Sequence, residues 1–216
     1  GGDRFELERQ PPVAANSVFA LDEAGRIVGR YDKVDLVPFG EYLPWRVVLE
    51  RIGLEKLTHG TIDFVPGPGR RTIRLAGLPA FGPLVCYEAI FPGRAIDPTD
   101  RPDFLLNLTN DAWFGHSSGP YQHAAMAALR SVEEGLPLVR AANTGISLAT
   151  DALGREVARL GLGETGVLDF PLPGRLADPP FYRKTNGLSA DMLFLIVFVG
   201  LAWHLWRGTD AGRARP

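Results

Sequence analysis

Cysteine is almost missing from this chain: among 216 residues there is one, Cys86. A lone thiol cannot close an internal disulfide, so no disulfide framework holds the fold and the cysteine count does not locate the compartment. Charge excess is missing as well. The 23 Lys and Arg nearly balance the 25 Asp and Glu, giving a net charge of −2. A nucleic-acid surface normally needs a clear basic excess, so nucleic acid is not expected as a partner. The four histidines, His59, His116, His123 and His204, show no close ligand pairing, and neither a metal nor another cofactor is expected. No internal repeat or low-complexity tract occurs. The first residues, Gly1 to Glu8, are polar, with no signal-peptide pattern and no initiator Met. The expectation is that the chain begins inside a longer protein.

What is present is enough length for one sizeable core. The 25 Gly and 18 Pro are high for a helical bundle and suit a loop-rich α/β or all-β domain. Residues 16–21 and 26–33 read as a hairpin around the turn Asp22–Gly25 and ending at Lys33. A loop follows over 34–45, then a short helix over Arg46–Leu57 and a breaker cluster over Val65–Gly69. Further strands are expected within Leu78–Cys86 and Pro102–Thr109. The composition of Gly119–Glu134 is helical, with apolar residues at Ala125, Ala128, Leu129 and Val132. Closing strands are read at Leu136–Ala141, Ile146–Thr150 and Gly166–Phe170. Strands and helices mixed in this way point to an α/β sandwich rather than a purely parallel sheet.

Cys86 ends the apolar run Phe81-Gly-Pro-Leu-Val, with Tyr87 and Glu88 after it. It is either a small buried apolar residue or a nucleophile. A strand running into a sharp turn presents a nucleophile with a free backbone N–H behind it. Lys33, ending a strand, could lower a thiol pKa and stabilise an oxyanion, or simply be solvated. The stretch Asn107–Gly115 sets polar residues and the aromatic pair Trp113 and Phe114 after a buried strand, either as part of a site around the thiol or as an Asx-type turn with a packed Trp113. At the other end, Leu188–Trp206 is mostly apolar and spans roughly 22–29 Å as a helix, depending on where counting starts, against a hydrocarbon core of about 30 Å. Trp203, Trp206, Arg207, Arg213 and Arg215 form an aromatic anchor with a basic flank, which favours a cytoplasmic C-terminus. The other reading of this run is a buried core helix.

Together, Tyr31-Asp-Lys33, Leu36-Val-Pro-Phe-Gly-Glu41-Tyr, Cys86-Tyr87-Glu88 with Phe91-Pro92, Asn110-Asp111-Ala-Trp113-Phe114-Gly115, Gln122-His123 and Arg140-Ala-Ala-Asn143-Thr-Gly145 resemble the carbon–nitrogen hydrolase (nitrilase) superfamily. Within it, they are similar to the C-terminal portion of the apolipoprotein N-acyltransferase family. The resemblance implies a nitrilase-like αββα sandwich over residues 1–180, N-terminally incomplete, a transmembrane helix over 188–206 and a basic tail over 207–216. It implies a Glu–Lys–Cys triad, with Cys86 as nucleophile and Lys33 assisting it and the oxyanion. Glu41 would hold Lys33, and Tyr87 and Glu88 would support the nucleophile. The family's general-base glutamate lies in a Trp-Pro-Glu stretch well before the lysine. Here Glu6, Glu8 and Glu23 lack that context, and position 35 is Asp where the family usually has His. The chain alone is therefore expected to be inactive or severely impaired.

The implied reaction moves a fatty acyl chain from a membrane phospholipid, through a Cys86 thioester, to the N-terminal amine of a diacylglyceryl apolipoprotein. No metal takes part. The implied location is the bacterial inner membrane, with the catalytic domain periplasmic and the C-terminus cytoplasmic. Trp45, Leu49, Trp113 and Phe114 are expected to form a lipid-facing mouth or else to pack in the core. The alternatives are a nitrilase-type amidase acting on a small amide, and a membrane-anchored binding domain without catalysis.

Overall fold

The computed structural model describes residues 1–10, 12–53, 62–185 and 187–211. The first sheet contains β1 (Gly2–Glu6), β2 (Val13–Leu21), β3 (Ile27–Asp32) and the two-residue β4 (Asp63–Phe64). β2 is central: β1 and β3 pair with it antiparallel, and β4 extends the β3 side in parallel at Val13 and Ala14. The expected hairpin forms, its turn fastened by the Asp22 carboxylate, which accepts from the Ala24 and Arg26 amides. Helix α1 is Arg46–Arg51, and the expected continuation over 54–57 lies outside the described residues.

The second sheet runs in chain order. It contains β5 (Phe81–Val85), β6 (Phe104–Asn110), β7 (Leu138–Asn143), β8 (Ser147–Thr150) and β9 (Glu156–Leu160). β5, β6 and β7 are parallel; β7, β8 and β9 are antiparallel. Pro83 cannot donate to a ladder, which suits the edge position of β5. The parallel crossover from β6 to β7 is α2 (Gly119–Glu134), stopped by Gly135 in the left-handed region at φ 62°. The short α3 (Phe181–Lys184) and the long α4 (Leu188–Ala211) complete the chain.

Two apolar layers hold this together. Val18, Tyr31, Ile73, Phe81 and Val85 join the two sheets. Leu84, Leu105, Ala124, Ala127, Leu136, Leu138 and Leu148 lie between the second sheet and α2. Among the described residues, α2 is the one α-helix in substantial contact with a sheet.

Several expectations are corrected. Gly166–Phe170 is not a strand; the closing strand is β9. β9 carries Glu156 and Arg159, and β1 carries Asp3, Arg4 and Glu6, and neither strand is expected from the sequence. As edge strands they tolerate those charges. On α2, Ala125, Leu129 and Val132 face outward, and the buried face is His123, Ala124, Ala127, Arg130, Ser131 and Glu134. Trp113 is not packed, being 72% exposed.

In α4 every side chain from Asp191 to His204 is exposed. That stretch is about 21 Å long at 1.5 Å per residue, and among the described residues no helix is long and apolar enough to cross a membrane. The side chains of 205–211 and all of 212–216, part of the expected span and tail, lie outside the described residues.

Candidate active site

The apolar strand β5 ends at Val85, and the chain then turns into a 3-10 helix over Cys86–Ile90. Cys86 opens that turn with φ 48°, in the left-handed region that a non-glycine residue occupies only when its surroundings hold it there. Its side chain is half-buried. The turn directs successive backbone amides away from the strand, which is how a nucleophile gains an oxyanion donor in the following N–H, that of Tyr87.

Glu88 supplies much of that restraint. It is fully buried. Its Oε2 accepts from the Val85 amide at 2.6 Å, directly before the cysteine. Its Oε1 accepts from the Val34 amide at 2.7 Å and the Asp35 amide at 3.2 Å, directly after Lys33. One carboxylate thus ties the backbone at the nucleophile to the backbone at the lysine. Tyr31 Oη donates to the same Oε1 at 2.8 Å, and Arg70 Nη1 lies 2.6 Å from it. Burial first, and then the Glu88 charge, push the Tyr31 hydroxyl pKa upward, so it stays a donor. Burial pulls the Arg70 pKa down, but the charges of Glu88 and Asp35 and the hydrogen bond to Tyr31 outweigh it.

Lys33 follows β3 and is 1% exposed. Its Nζ donates to both oxygens of Glu41 at 2.8 Å. Glu41 also accepts from the Val37 amide at 2.7 Å and from Asn16 Nδ2 at 3.2 Å, so its carboxylate is fixed before it meets the ammonium. A carboxylate fixed by other donors and bonded through both oxygens holds the direction of the ammonium it meets. The backbone of Lys33 is clamped as well: its amide donates to Asn16 O and its carbonyl accepts from Gly67 N, both at 2.8 Å. Gly67 is required there, because a Cβ would stand 2.1 Å from Asp32 O. Solvation at a strand end, the alternative for Lys33, does not occur.

Beneath the cysteine, β6 and α2 contribute a second buried network. His123 Nε2 lies 3.2 Å from Cys86 O, and His123 Nδ1 lies 2.8 Å from Asp111 Oδ1. Arg140 Nη2 donates to Asp111 Oδ2 at 2.6 Å, Arg140 Nη1 donates to Asn107, and Asn107 Nδ2 donates to Leu84 O at 3.0 Å. Burial pushes the Asp111 carboxyl up, yet its bond to His123 and the Arg140 charge leave it below the usual carboxylate range. The Arg140 pKa is pulled down by burial, against the opposing charge and hydrogen bond of Asp111.

Tyr87 packs edge-on against Phe91 at 4.9 Å. Both line a cavity of about 890 Å³ with Val34, Leu36, Leu43 and Phe64. Trp45 is 80% exposed, and Phe114 is also exposed, so neither packs into the core. Among the described residues no cluster of His, Cys, Asp and Glu is arranged to hold a metal ion. Asp35, at the position usual for His, pairs with Arg70 at 2.5 Å and Arg94 at 2.6 Å.

The structure therefore brings Cys86, Tyr87, Glu88, Lys33 and Glu41 into one region. Sequence reasoning gave no role to Arg70, Asn107 or Asp111, nor to His123 and Arg140. A half-buried thiol in a turn tied through Glu88 to the backbone that follows Lys33 has the residue types that covalent acyl chemistry uses. Residues 4–175 match the carbon-nitrogen hydrolase family. The chain belongs to the carbon-nitrogen hydrolase family. It is 50% identical over 186 residues to a Rhodopseudomonas palustris protein named apolipoprotein N-acyltransferase, covering 86% of this chain and 34% of that one. A protein of the same name from Rickettsia prowazekii is 39% identical over 204 residues, covering 94% and 39%. The chain thus spans about a third of the length of these curated relatives. Among solved structures, a Helicobacter pylori carbon-nitrogen hydrolase aligns with a TM-score of 0.54 at 18% identity, covering 74% of this chain and 57% of that one. The NitN amidase aligns with a TM-score of 0.50 at 25% identity over the same shares. The nitrilase-like α/β fold follows.

Proposed function

We propose that this chain carries the acyl-transfer centre of an apolipoprotein N-acyltransferase. Cys86 takes a fatty acyl chain from a membrane phospholipid and passes it to the N-terminal amine of a diacylglyceryl-cysteine apolipoprotein. The observation that carries the reading is the Glu88 carboxylate joining the Cys86 turn to the end of the Lys33 strand. Identity of 39–50% to proteins of that name supports it.

In this reading the Cys86 thiolate attacks the ester carbonyl. An S–C bond forms, and the carbonyl electrons move to the oxygen, which Lys33 and the Tyr87 N–H stabilise. Collapse breaks the ester C–O bond, and the lysophospholipid leaves with a proton from the general acid. The acceptor amine attacks the thioester, loses its proton to the same group acting as base, and expels the thiolate. That group is the family's glutamate. Among the described residues Glu6 pairs with Arg4, Glu23 sits in the β2–β3 turn, and neither meets Cys86 or Lys33. The reading assigns the base to a segment outside them.

The finer architecture belongs to the same proposal. Residues 1–180 form the catalytic domain of an αββα sandwich. α4 has a 24-residue backbone, and its side chains from Asp191 to His204 are mostly apolar and all exposed, which favours a bilayer around it over residues 188–206, with the tail 207–216 cytoplasmic and the domain periplasmic. The cavity beside Tyr87 and the exposed Trp45 and Trp113 suit an apolar substrate arriving from that membrane.

The test uses the longest native form of the protein in phospholipid vesicles with a synthetic diacylglyceryl-cysteine peptide. The expected result is a peptide heavier by one acyl group, lost in Cys86→Ala. Turnover of short amides with no acylated peptide would replace this reading with the amidase.

A further inference from the structure

The Cys86 carbonyl can only accept a hydrogen bond, so at 3.2 Å from it His123 Nε2 is the donor, and because the Asp111 carboxylate 2.8 Å from Nδ1 also only accepts, the ring donates from both nitrogens. That carbonyl begins the peptide whose N–H belongs to Tyr87. Its orientation therefore sets the direction of the oxyanion donor and helps to hold Cys86 at φ 48°. His123 is itself held. It is buried on the inner face of α2, with Nδ1 between Asp111 Oδ1 at 2.8 Å and Arg140 Nη2 at 3.2 Å, and the Phe114 ring stands 5.7 Å from its own. Asp111 accepts from Thr109 and Arg140, and Arg140 Nε donates to Ile146 O. The approach is tight: a Cβ at Gly145 would meet Asp111 Oδ2 at 2.4 Å. Nothing in the Lys33–Glu41–Cys86 chemistry uses this network, yet it ends on the nucleophile's own peptide.

We propose that His123 is a positioning residue which, through its Nε2–H, fixes the Cys86–Tyr87 peptide and so aims both the sulfur and the oxyanion donor. Asp111 and Arg140 fix the ring that makes this bond. The inference rests on Cys86 being the nucleophile, but not on which acyl group it carries.

Two isosteric replacements separate positioning from structure. The amide nitrogen of a glutamine can occupy the place of Nε2 and keep the donor to Cys86 O. That of an asparagine occupies the place of Nδ1, reaches Asp111 instead and leaves the carbonyl bare. Cys86 is the only cysteine, so alkylation of the whole chain by iodoacetamide, followed by intact mass, reports its reactivity alone. The expected result is that His123→Gln alkylates within about threefold of the parent, while His123→Asn slows by about tenfold, the scale of one hydrogen bond. Thermal midpoints of the two variants should match within error. Equal rates in the two variants, or loss of rate that follows loss of thermal stability, would overturn the proposal. Should both variants unfold, ¹⁵N-histidine spectra of the parent decide it: a ring Nε2 without its hydrogen is incompatible with the bond. Alkylation that separates the variants in a protein that acylates no peptide would retain this proposal and remove the acyltransferase reading.

Discussion

Glu88→Gln tests the coupling between nucleophile and lysine most sharply. The carboxylate accepts at both oxygens: Tyr31, Val34, Asp35 and Arg70 on Oε1, and Val85 on Oε2. A glutamine offers one accepting oxygen. If its oxygen keeps the Oε1 place, its NH₂ faces the Val85 N–H donor to donor. The reverse flip sets the NH₂ against two amides and a guanidinium, which is worse. The better arrangement still leaves one buried amide without an acceptor and Arg70 without its carboxylate charge. Together these cost about 2–4 kcal/mol. For a chain of this size that lowers the thermal midpoint by roughly 4–16 °C, at about 2–4 °C per kcal/mol. Because the lost bond lies directly before Cys86, reactivity should fall as well. The assay is a thermal melt followed by circular dichroism, beside the iodoacetamide rate at a temperature where both proteins are folded. A Glu88→Gln protein with the parent's midpoint and alkylation rate would refute the account of this carboxylate.

Other consequences are as direct. Glu41→Gln removes the counter-charge of a buried ammonium, and formation of the acyl-enzyme should slow by about tenfold or more while the fold persists; stopped acylation with phospholipid vesicles measures it. Gly67→Ala drives a Cβ into Asp32 O, so a midpoint drop larger than for Gly174→Ala, where open space surrounds the Cβ, is expected by calorimetry. Burial raises the Glu134 carboxyl pKa, with the Arg183 charge opposing. The folded state therefore holds its proton to higher pH than the unfolded chain, and stability falls as pH rises from about 4.5 through the raised value. Glu134→Gln should flatten that fall, read from urea midpoints between pH 4 and 8. Val197→Asp in α4 should shift the protein from the detergent phase to the aqueous phase in a phase-partition experiment, as expected for a helix seated in lipid.

The chemistry-bearing residues with local signals were legible. Cys86 ends an apolar run, and Lys33 ends a hairpin strand. Glu41 follows in the same loop, and the Asn110 side chain caps Ala112 N as an Asx turn should. Arg70 had no such signal: it follows the Pro- and Gly-rich stretch 65–69, and its role arises only where β3 and the Cys86 turn converge. His123 and Arg130 were hidden for a different reason. A periodic pattern assigns polar residues of a helix to solvent, but in α2 His123 turns inward to Asp111 and Cys86 O, and Arg130 to Ala89 O and Glu133, leaving Leu129 and Val132 outside. The edge strands β1 and β9 were obscured by charges that an edge accommodates. The parallel core strand β6 and the length of α2 were readable because burial on both faces and a glycine stop leave strong local patterns.

The central claim is that Cys86 becomes acylated by membrane lipid. Its most direct test is intact mass spectrometry of the longest native form purified from membranes, with Cys86→Ala beside it. The account predicts a fatty-acyl increment that maps to Cys86, is released by hydroxylamine and is absent from the variant. A folded protein that stays unmodified in the presence of phospholipid, in both this chain and its longer form, would contradict it.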